Sequence, residues 1–318
     1  MSAKNLSSRA IIGEFYRTLE QDIGQGWINQ ISMLFQSNQE SETYRWLGQS
    51  PVMREWIGGR QAKGFHDNGI TIANKHFEAT LEVLVSELRR DKTGQLLVRV
   101  RELAERTNAH WASLLSTLIQ NGTSSVCYDG HYFFDTEHKE GKSGAQSKAI
   151  SISVSQLAIP ADEKGSITEP SARVMKTAIL RGVRQLMSFK DDQGEPMNEN
   201  ARQFLIMVPT VFMDVVNAAI SSPVLSGAET NDLASSRNFS INYAVNPRLT
   251  WTDSFALFRT DGAVSPFIRQ EETPVALSAI AEGSEEEFKH QRHLYGVDAW
   301  RNVGYGYWQK ACLVSLTA

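Results

Sequence analysis

Residues 95–121 read QLLVRVRELAERTNAHWASLLSTLIQN, and the fold turns on that stretch. Leu97, Val100, Leu103, Ala104, Trp111, Leu114, Leu115 and Leu118 recur at helical period, with Glu102, Glu105, Arg106 and Asn108 mostly opposite. Thr93 is the candidate N-cap, and Asn121-Gly122 supplies a left-handed stop. At 1.5 Å per residue, one helix over 95–121 spans on the order of 40 Å, longer than a small domain is wide. Such a beam suits an extended, flattened protein better than a sphere.

Working outward, Phe77, Ala79, Leu81, Val83 and Val85 alternate with mostly polar residues, which predicts a strand over 77–86. Leu81, Leu84, Val85 and Leu88 also fit a helix. Residues 50–74 are punctuated by Gly58, Gly59, Gly64 and Gly69 and offer Trp56, Ile57, Phe65, Ile70 and Ile72 for burial. Residues 52–86 therefore read as a long two-stranded excursion. A lone hairpin is marginal in water, so this one needs a surface, its own or a neighbour's. On the other side of the helix, CYDGHYFF at 127–134 reads as a strand, with Asp129-Gly130 as a turn or bulge.

Nearer the N-terminus, Ser7 or Ser8 caps a helix whose stripe is Ile12, Phe15, Tyr16, Leu19 and Ile23. It too needs cover. Downstream, a strand is expected over 149–157. A helix opened by Thr168 and Pro170 follows, with apolar pairs at Val174/Met175, Ala178/Ile179 and Leu186/Met187. The wholly apolar run 204–208 reads as a central strand, closed by Pro209 ahead of a helix from Thr210. Strands are predicted at 239–245 and 255–259, a hairpin turn at Asp261-Gly262, a solvated turn at 284–287, and terminal strands at 288–297 and 309–316. The class is α+β.

Composition narrows the function. Of 318 residues, 41% are hydrophobic and 21% charged, which is ordinary for a globular chain. The net charge of −4 argues against tight phosphate binding. Cys127 and Cys312 lack zinc-site spacing and read as buried thiols in a reducing compartment. No run is apolar enough to span a membrane, and the polar N-terminus has no signal core, so synthesis in the cytoplasm is expected.

The strongest enzyme candidate is His131, Asp135 and His138, with Cys127, whose donors suit zinc or iron. That set defines an alternative reading, a metal-dependent hydrolase. Strand alternation would put His138 on the opposite face from His131 and Asp135, and no HExxH helix, Gly-x-Ser-x-Gly elbow or phosphate loop is present. The aromatic run 304–308 reads as sheet packing rather than a base-stacking platform. No catalytic, cofactor or metal residue is assigned.

The order of the motifs resembles the major head subunit of Mu-like bacteriophages. The residues carrying the likeness are Asn74-Lys75 with Phe77-Glu78, the segment 127–138 (CYDGHYFFDTEH), the segment 203–210 (QFLIMVPT), and Gly304-Tyr-Gly with Trp308 and Ala311. The resemblance implies a Hong Kong 97-type capsid fold. Its parts would be an N-terminal arm (1–49), an extended loop (50–87), a peripheral domain (88–165 and 287–318, spine helix 95–121) and an axial domain (166–286). It implies self-assembly into hexamers and pentamers that close an icosahedral head around double-stranded DNA, held only by weak non-specific contact. Expected partners are a separate scaffolding protein, a portal and a decoration protein, with no cofactor; another phage ring protein is the neighbouring alternative. Phe15, Leu19, Trp56, Ile57, Phe65 and Ile72 are the expected inter-subunit contacts.

Overall fold

The computed structural model describes residues 7–21, 26–45, 69–91, 93–235 and 238–318. The chain opens with α1 (Ser8–Leu19), α2 (Trp27–Ile31), β1 (Ser32–Gln36), β2 (Ser41–Tyr44), β3 (Ile70–Ala73) and β4 (Lys75–Leu84). Next come α3 (Val85–Arg90), α4 (Gln95–Asn108), α5 (His110–Gln120), β5 (Ala149–Ser153), α6 (Ala172–Ser188), β6 (Gln203–Val208) and α7 (Met213–Ser221). It ends with the two-residue strands β7 (Val224–Leu225) and β8 (Glu229–Thr230), then β9 (Ser240–Val245), β10 (Ser254–Arg259), β11 (Phe267–Ile280), α8 (Glu285–His290), β12 (Arg292–Tyr305) and β13 (Ala311–Thr317).

Two sheets organise these elements. One has strand order β5-β13-β10-β6-β9. Its middle strands β6 and β10 are buried almost throughout, as the apolar run at 204–208 predicts. Helix α6 is capped by Ser171, whose side chain accepts from the Val174 amide, and it lays Val174, Met175, Ala178, Ile179, Val183 and Leu186 into the core. Gly182 is what allows close approach: a Cβ there would stand 2.9 Å from Leu257 Cδ1 and 3.0 Å from Val314 Cγ2.

The second sheet runs β1-β11-β12-β4. Its central pair is a hairpin of two 14-residue strands, each about 46 Å long at 3.3 Å per residue. Register breaks between Glu271 and Ala276 accommodate Pro274, which has no N–H for the ladder. One face is covered: Val83, Tyr295 and Val297 pack with Ile11 and Phe15 of α1 and with Leu96, Val100 and Ala104 of α4. On the other face, Glu78, Thr80, Glu82 and Leu84 of β4 are exposed. The β11-β12-β4 part of the sheet is antiparallel, an arrangement that tolerates one-sided burial, while β1 joins its edge in parallel.

The 95–121 stretch is helical but not one helix. It breaks at Ala109, where ψ opens to −4°. There the buried Arg301 guanidinium donates to the Thr107 carbonyl (3.4 Å), and Asn108 reaches across to the Leu19 and Gln21 carbonyls. The break divides two cores. Helix α4 serves the smaller one under the hairpin sheet, whereas Ala112, Leu115 and Ile119 of α5 join the larger one.

Other expectations change as well. Residues 127–134 form a tight turn, not a strand: Cys127 N–H donates to the His131 carbonyl, Gly130 N–H donates back to Cys127, and Gly130 sits at φ +86°. The charge run at 284–287 opens α8, with Ser284 as its cap, so β12 starts only at Arg292. Asp261-Gly262 links strands of different sheets rather than closing a hairpin. Of the 52–86 excursion, β3 pairs with β2 and β4 leaves to pair with β12, while residues 46–68 lie outside the described set.

The domain limits drawn from sequence also cut across both sheets. The hairpin sheet takes strands from the expected arm (β1), loop (β4), axial (β11) and peripheral (β12) parts. The other sheet joins β5 and β13, expected to be peripheral, to the axial β6, β9 and β10. Pairing over such sequence separations leaves no trace in local composition.

Candidate functional site

The candidate metal residues fold into the turns between α5 and β5. Gly122 makes room for them, since a Cβ there would meet the Phe134 ring at 2.5 Å. The structure brings Cys127 and His138 together but replaces Asp135 with Asp129, and the donor atoms of these three lie within 4.8 Å of one another. His131 and Asp135 pair separately, at 3.6 Å.

Each donor of the trio is already engaged. Cys127 Sγ donates to Asp129 Oδ1 (2.8 Å), His138 Nδ1 bonds Asp129 Oδ2 (2.6 Å), and His138 Nε2 meets the Phe133 carbonyl at 3.2 Å. Burial raises the Asp129 carboxyl, but its bonds to His138 outweigh that and hold it below the usual range. Burial pushes the Cys127 thiol up, opposite to what a nucleophile needs. Lys148, fully buried, sets its amine over the Phe133 ring and is held well below its usual value by burial. The His138 and Asp129 side chains are 0% and 4% exposed, so no substrate reaches them. The cluster acts as a staple: His138 stacks on Trp308 at 4.3 Å, tying these turns to the C-terminal strand.

Glu140 completes the staple, accepting from Trp308 Nε1 (3.1 Å) and Gln309 Nε2 (3.0 Å). Burial pushes its carboxyl up to about 7. Because the folded value lies above the unfolded one, this group's stabilising contribution is full below pH 4.5 and is lost as pH rises through about 7. The Glu140→Gln variant should therefore lose less stability than the wild type between pH 5 and pH 7.5. Urea titrations at both values test this, and parallel losses in the two proteins would refute it.

The expected inter-subunit residues land differently. Phe15 is fully buried in its own chain's smaller core, and Leu19 packs at that core's edge. Ile72 is 4% exposed and fills the space over Gly304, where a Cβ would come within 2.3 Å of its Cδ1. Phe15 and Ile72 thus present no surface to another copy, because α1 and β3 find their cover within the chain. Trp56, Ile57 and Phe65 lie outside the described residues.

What the chain does expose is the outer face of the hairpin sheet, where Trp300 stacks on His76 (4.7 Å) and His76 bonds Asp298 (2.8 Å). At the hairpin tip Phe288 is 85% exposed, and α8 has no buried residue. An open cavity of about 320 Å³ lies between the α4–α5 break and strands β4 and β12. No sequence reasoning found the Phe288 tip, although Ser284-x-x-Glu287 is a helix-start signature. Among the described residues, no helix is long and apolar enough to cross a membrane.

A family model for the Mu-like prophage major head subunit gpT matches residues 8–160 and 246–317. The chain belongs to that family. Within it, the Mu-like head-subunit match omits 161–245, which holds α6, β6 and α7. The major capsid protein of Escherichia phage Mu is 34% identical over 110 residues, covering 35% of this chain and 36% of that protein. The Mu-like prophage FluMu major head subunit of Haemophilus influenzae is 32% identical over 124 residues, covering 38% and 40%. The chain thus spans well under half the length of these curated relatives in each match. Among solved structures, the procapsid of bacteriophage JBD30 superposes with a TM-score of 0.56 at 22% identity, over 98% of this chain and 74% of that one. The virus-like particle from Pyrococcus furiosus gives 0.51 at 7% identity, over 96% and 98%. The fold is the Hong Kong 97-like fold of phage capsid proteins, α+β as read from the sequence.

Proposed function

We propose that the chain is a shell subunit of a phage head, whose copies join as hexamers and pentamers and close an icosahedral shell around double-stranded DNA. The observation that carries this reading is a likeness to a procapsid structure that aligns over 98% of a chain belonging to a head-subunit family. The chemistry agrees with a container. Among the described residues, the buried Cys127, Asp129 and His138 cluster is closed by its own hydrogen bonds, and a net charge of −4 disfavours the tight phosphate binding that would hinder packing and release of a genome. On this reading the protein resides in the virion, after synthesis in the host cytoplasm.

The division into arm, extended loop, peripheral and axial parts is kept as a proposal in amended form. The hairpin sheet with α1 and α4 forms the peripheral body, and the β5-β13-β10-β6-β9 sheet with α6 and α7 forms the axial one. Trp56, Ile57 and Phe65 remain the proposed contacts of the loop on a neighbouring copy. A separate scaffolding protein, a portal and a decoration protein complete the proposed partners. Negative-stain microscopy of the chain expressed with its neighbouring genes should show closed shells; rings or tubes alone would overturn the reading. Shells from this chain alone would remove the need for a scaffold. Replacing Trp56 and Ile57 by serine is expected to block assembly while leaving the melting temperature of the unassembled chain unchanged, and a large fall in that temperature would place both residues in the subunit core.

A further inference from the structure

We propose that Phe288 of one copy seats in the cavity between α4 and strands β4 and β12 of a second copy, a knob-and-socket contact that rests on the shell reading above. The knob is defined by an anomaly. Helix α8 crowns the hairpin tip without burying any of its residues, yet carries a phenylalanine that is 85% exposed. An isolated apolar side chain at a surface is unremarkable, but one lifted on its own helical turn at the end of a long hairpin is placed to enter something.

The socket has the complementary chemistry. Its apolar wall is Phe77, Ala79, Leu103, Val297 and Ala299, and its volume of about 320 Å³ lies within the range of sites that hold compact ligands. Its polar edge carries two guanidinium groups, Arg106 and Arg301, against the single acid Glu78 among the described lining residues; Arg106 already pairs with Glu102, and His110, whose imidazole burial pushes down to about 4, adds no charge near neutral pH. Arg301 is 3% exposed and makes no ion pair among the described residues, and its Nε has no hydrogen-bond partner. Its guanidinium lies over the Trp111 ring at 4.7 Å. The knob brings the missing sign, because Glu285, Glu286 and Glu287 precede Phe288. Of the three, Glu285 is the one free to turn, because its pair with Lys289 is exposed and exchanges at little cost, whereas Glu286 stays on Arg292 and Glu287 on the Gly283 amide and His293.

The knob cannot serve its own socket. Along β12, Arg292 next to α8 and Val297, the nearest socket residue on that strand, are five residues apart, about 17 Å in a strand. The occupant is therefore another copy. Each copy offers one knob and one socket at separate places, the arrangement by which identical subunits build rings and larger closed assemblies.

A photoactivatable benzophenone side chain at position 288 of the full chain tests the contact directly. Particles assembled from a mixture of unlabelled and nitrogen-15-labelled chains are irradiated and digested. The expected result is mixed-isotope cross-links from position 288 to peptides carrying Phe77, Leu103 or Val297. Cross-links only to other segments, including residues 46–68 of a neighbour, or only within one copy, would overturn the proposal. In parallel, Phe288→Ala should raise the concentration needed for assembly about thirtyfold, the loss typical of a central aromatic anchor. The melting temperature of the unassembled chain should not change. Phe288→Leu should recover most of the loss. Wild-type shells whose cross-links fall elsewhere refute the knob and leave the shell reading standing. If the wild type forms no shells, the shell reading fails, and cross-links in whatever oligomers form decide the contact alone.

Discussion

Replacing Trp308 by alanine is expected to lower the unfolding free energy of the unassembled chain by about 3–5 kcal/mol from lost packing alone. Trp308 is fully buried, stacks face to face on His138, and takes the Phe189 ring on its edge at 5.5 Å. Its Nε1 is one of two side-chain donors that Trp308 and Gln309 give to the buried Glu140 carboxylate. Truncation leaves both a cavity and a carboxylate short of a donor, and the second defect adds about 1–3 kcal/mol. Against a typical domain stability of 5–15 kcal/mol, the sum approaches the whole margin. The Trp308→Phe variant separates the two parts. It keeps an aromatic ring beside His138 and loses mainly the donor, so its deficit should be about 1–3 kcal/mol. Urea unfolding followed by far-ultraviolet circular dichroism gives both numbers. Equal midpoint shifts for the two variants would show that the ring is not what holds the staple.

The staple illustrates what local pattern can and cannot reveal. The runs at 204–208, 255–259 and 309–316 were readable as buried strands because a strand covered on both faces leaves a largely apolar stretch, although the last starts only at Ala311, after a helical turn at 308–310. Helix α6 was readable from its apolar stripe, although it is capped by Ser171 and starts at Ala172 rather than being opened by Thr168 and Pro170. By contrast, 127–134 has the composition of a strand and folds as a turn. Gly130 reverses the chain after three residues, and the rings of Tyr128, Phe133 and Phe134 pack onto the core instead of along a sheet. At the break the Thr107 carbonyl accepts from Arg301, some 190 residues away in sequence, and no window around Ala109 contains that partner. Strand partners were illegible for the same reason: β13 looks like a neighbour of β12, and pairs instead with β10 and β5.

The candidate site divides in the same way. His138 and Cys127 were recognisable as chemically capable residues, but their true companion is Asp129, which the turn rather than strand alternation puts within reach. For assembly contacts the difficulty is more basic. An apolar stripe states that a face will be covered and is silent about which chain covers it. Phe15 and Ile72 were expected to meet other copies because nothing nearby in sequence could bury them; the cover comes from α4 and β12, far along the same chain.

That distinction makes the second large effect specific. Phe15→Ala should destabilise the unassembled chain by about 3–5 kcal/mol, mostly within the smaller core. Besides Phe15, eight buried residues form that core, and Phe15 joins α1 to α4 at its centre. The polar contacts around it act at the rim. Glu14 pairs with both Arg17 and Arg101, whose bonds pull its carboxyl down to about 2. The Ser8 hydroxyl meets the Tyr295 hydroxyl at 2.8 Å, and the Leu277 amide donates to the Tyr16 hydroxyl at 3.0 Å. A few polar contacts, of which the Ser8–Tyr295 pair is buried and the others are partly exposed, do not hold a helix whose apolar anchor is gone. The loss should therefore appear as undocking of α1 from α4 before the larger core yields. Hydrogen exchange, measured below the concentration at which copies associate, should show amides in α1 and α4 exchanging roughly 100-fold faster or more, while β6 and β10 keep their protection. If Phe15 instead belonged to a contact between copies, the unassembled variant would exchange like the wild type and only assembly would suffer. A stripe covered from within must be paid for by the monomer, whereas one covered by a neighbour leaves the monomer untouched.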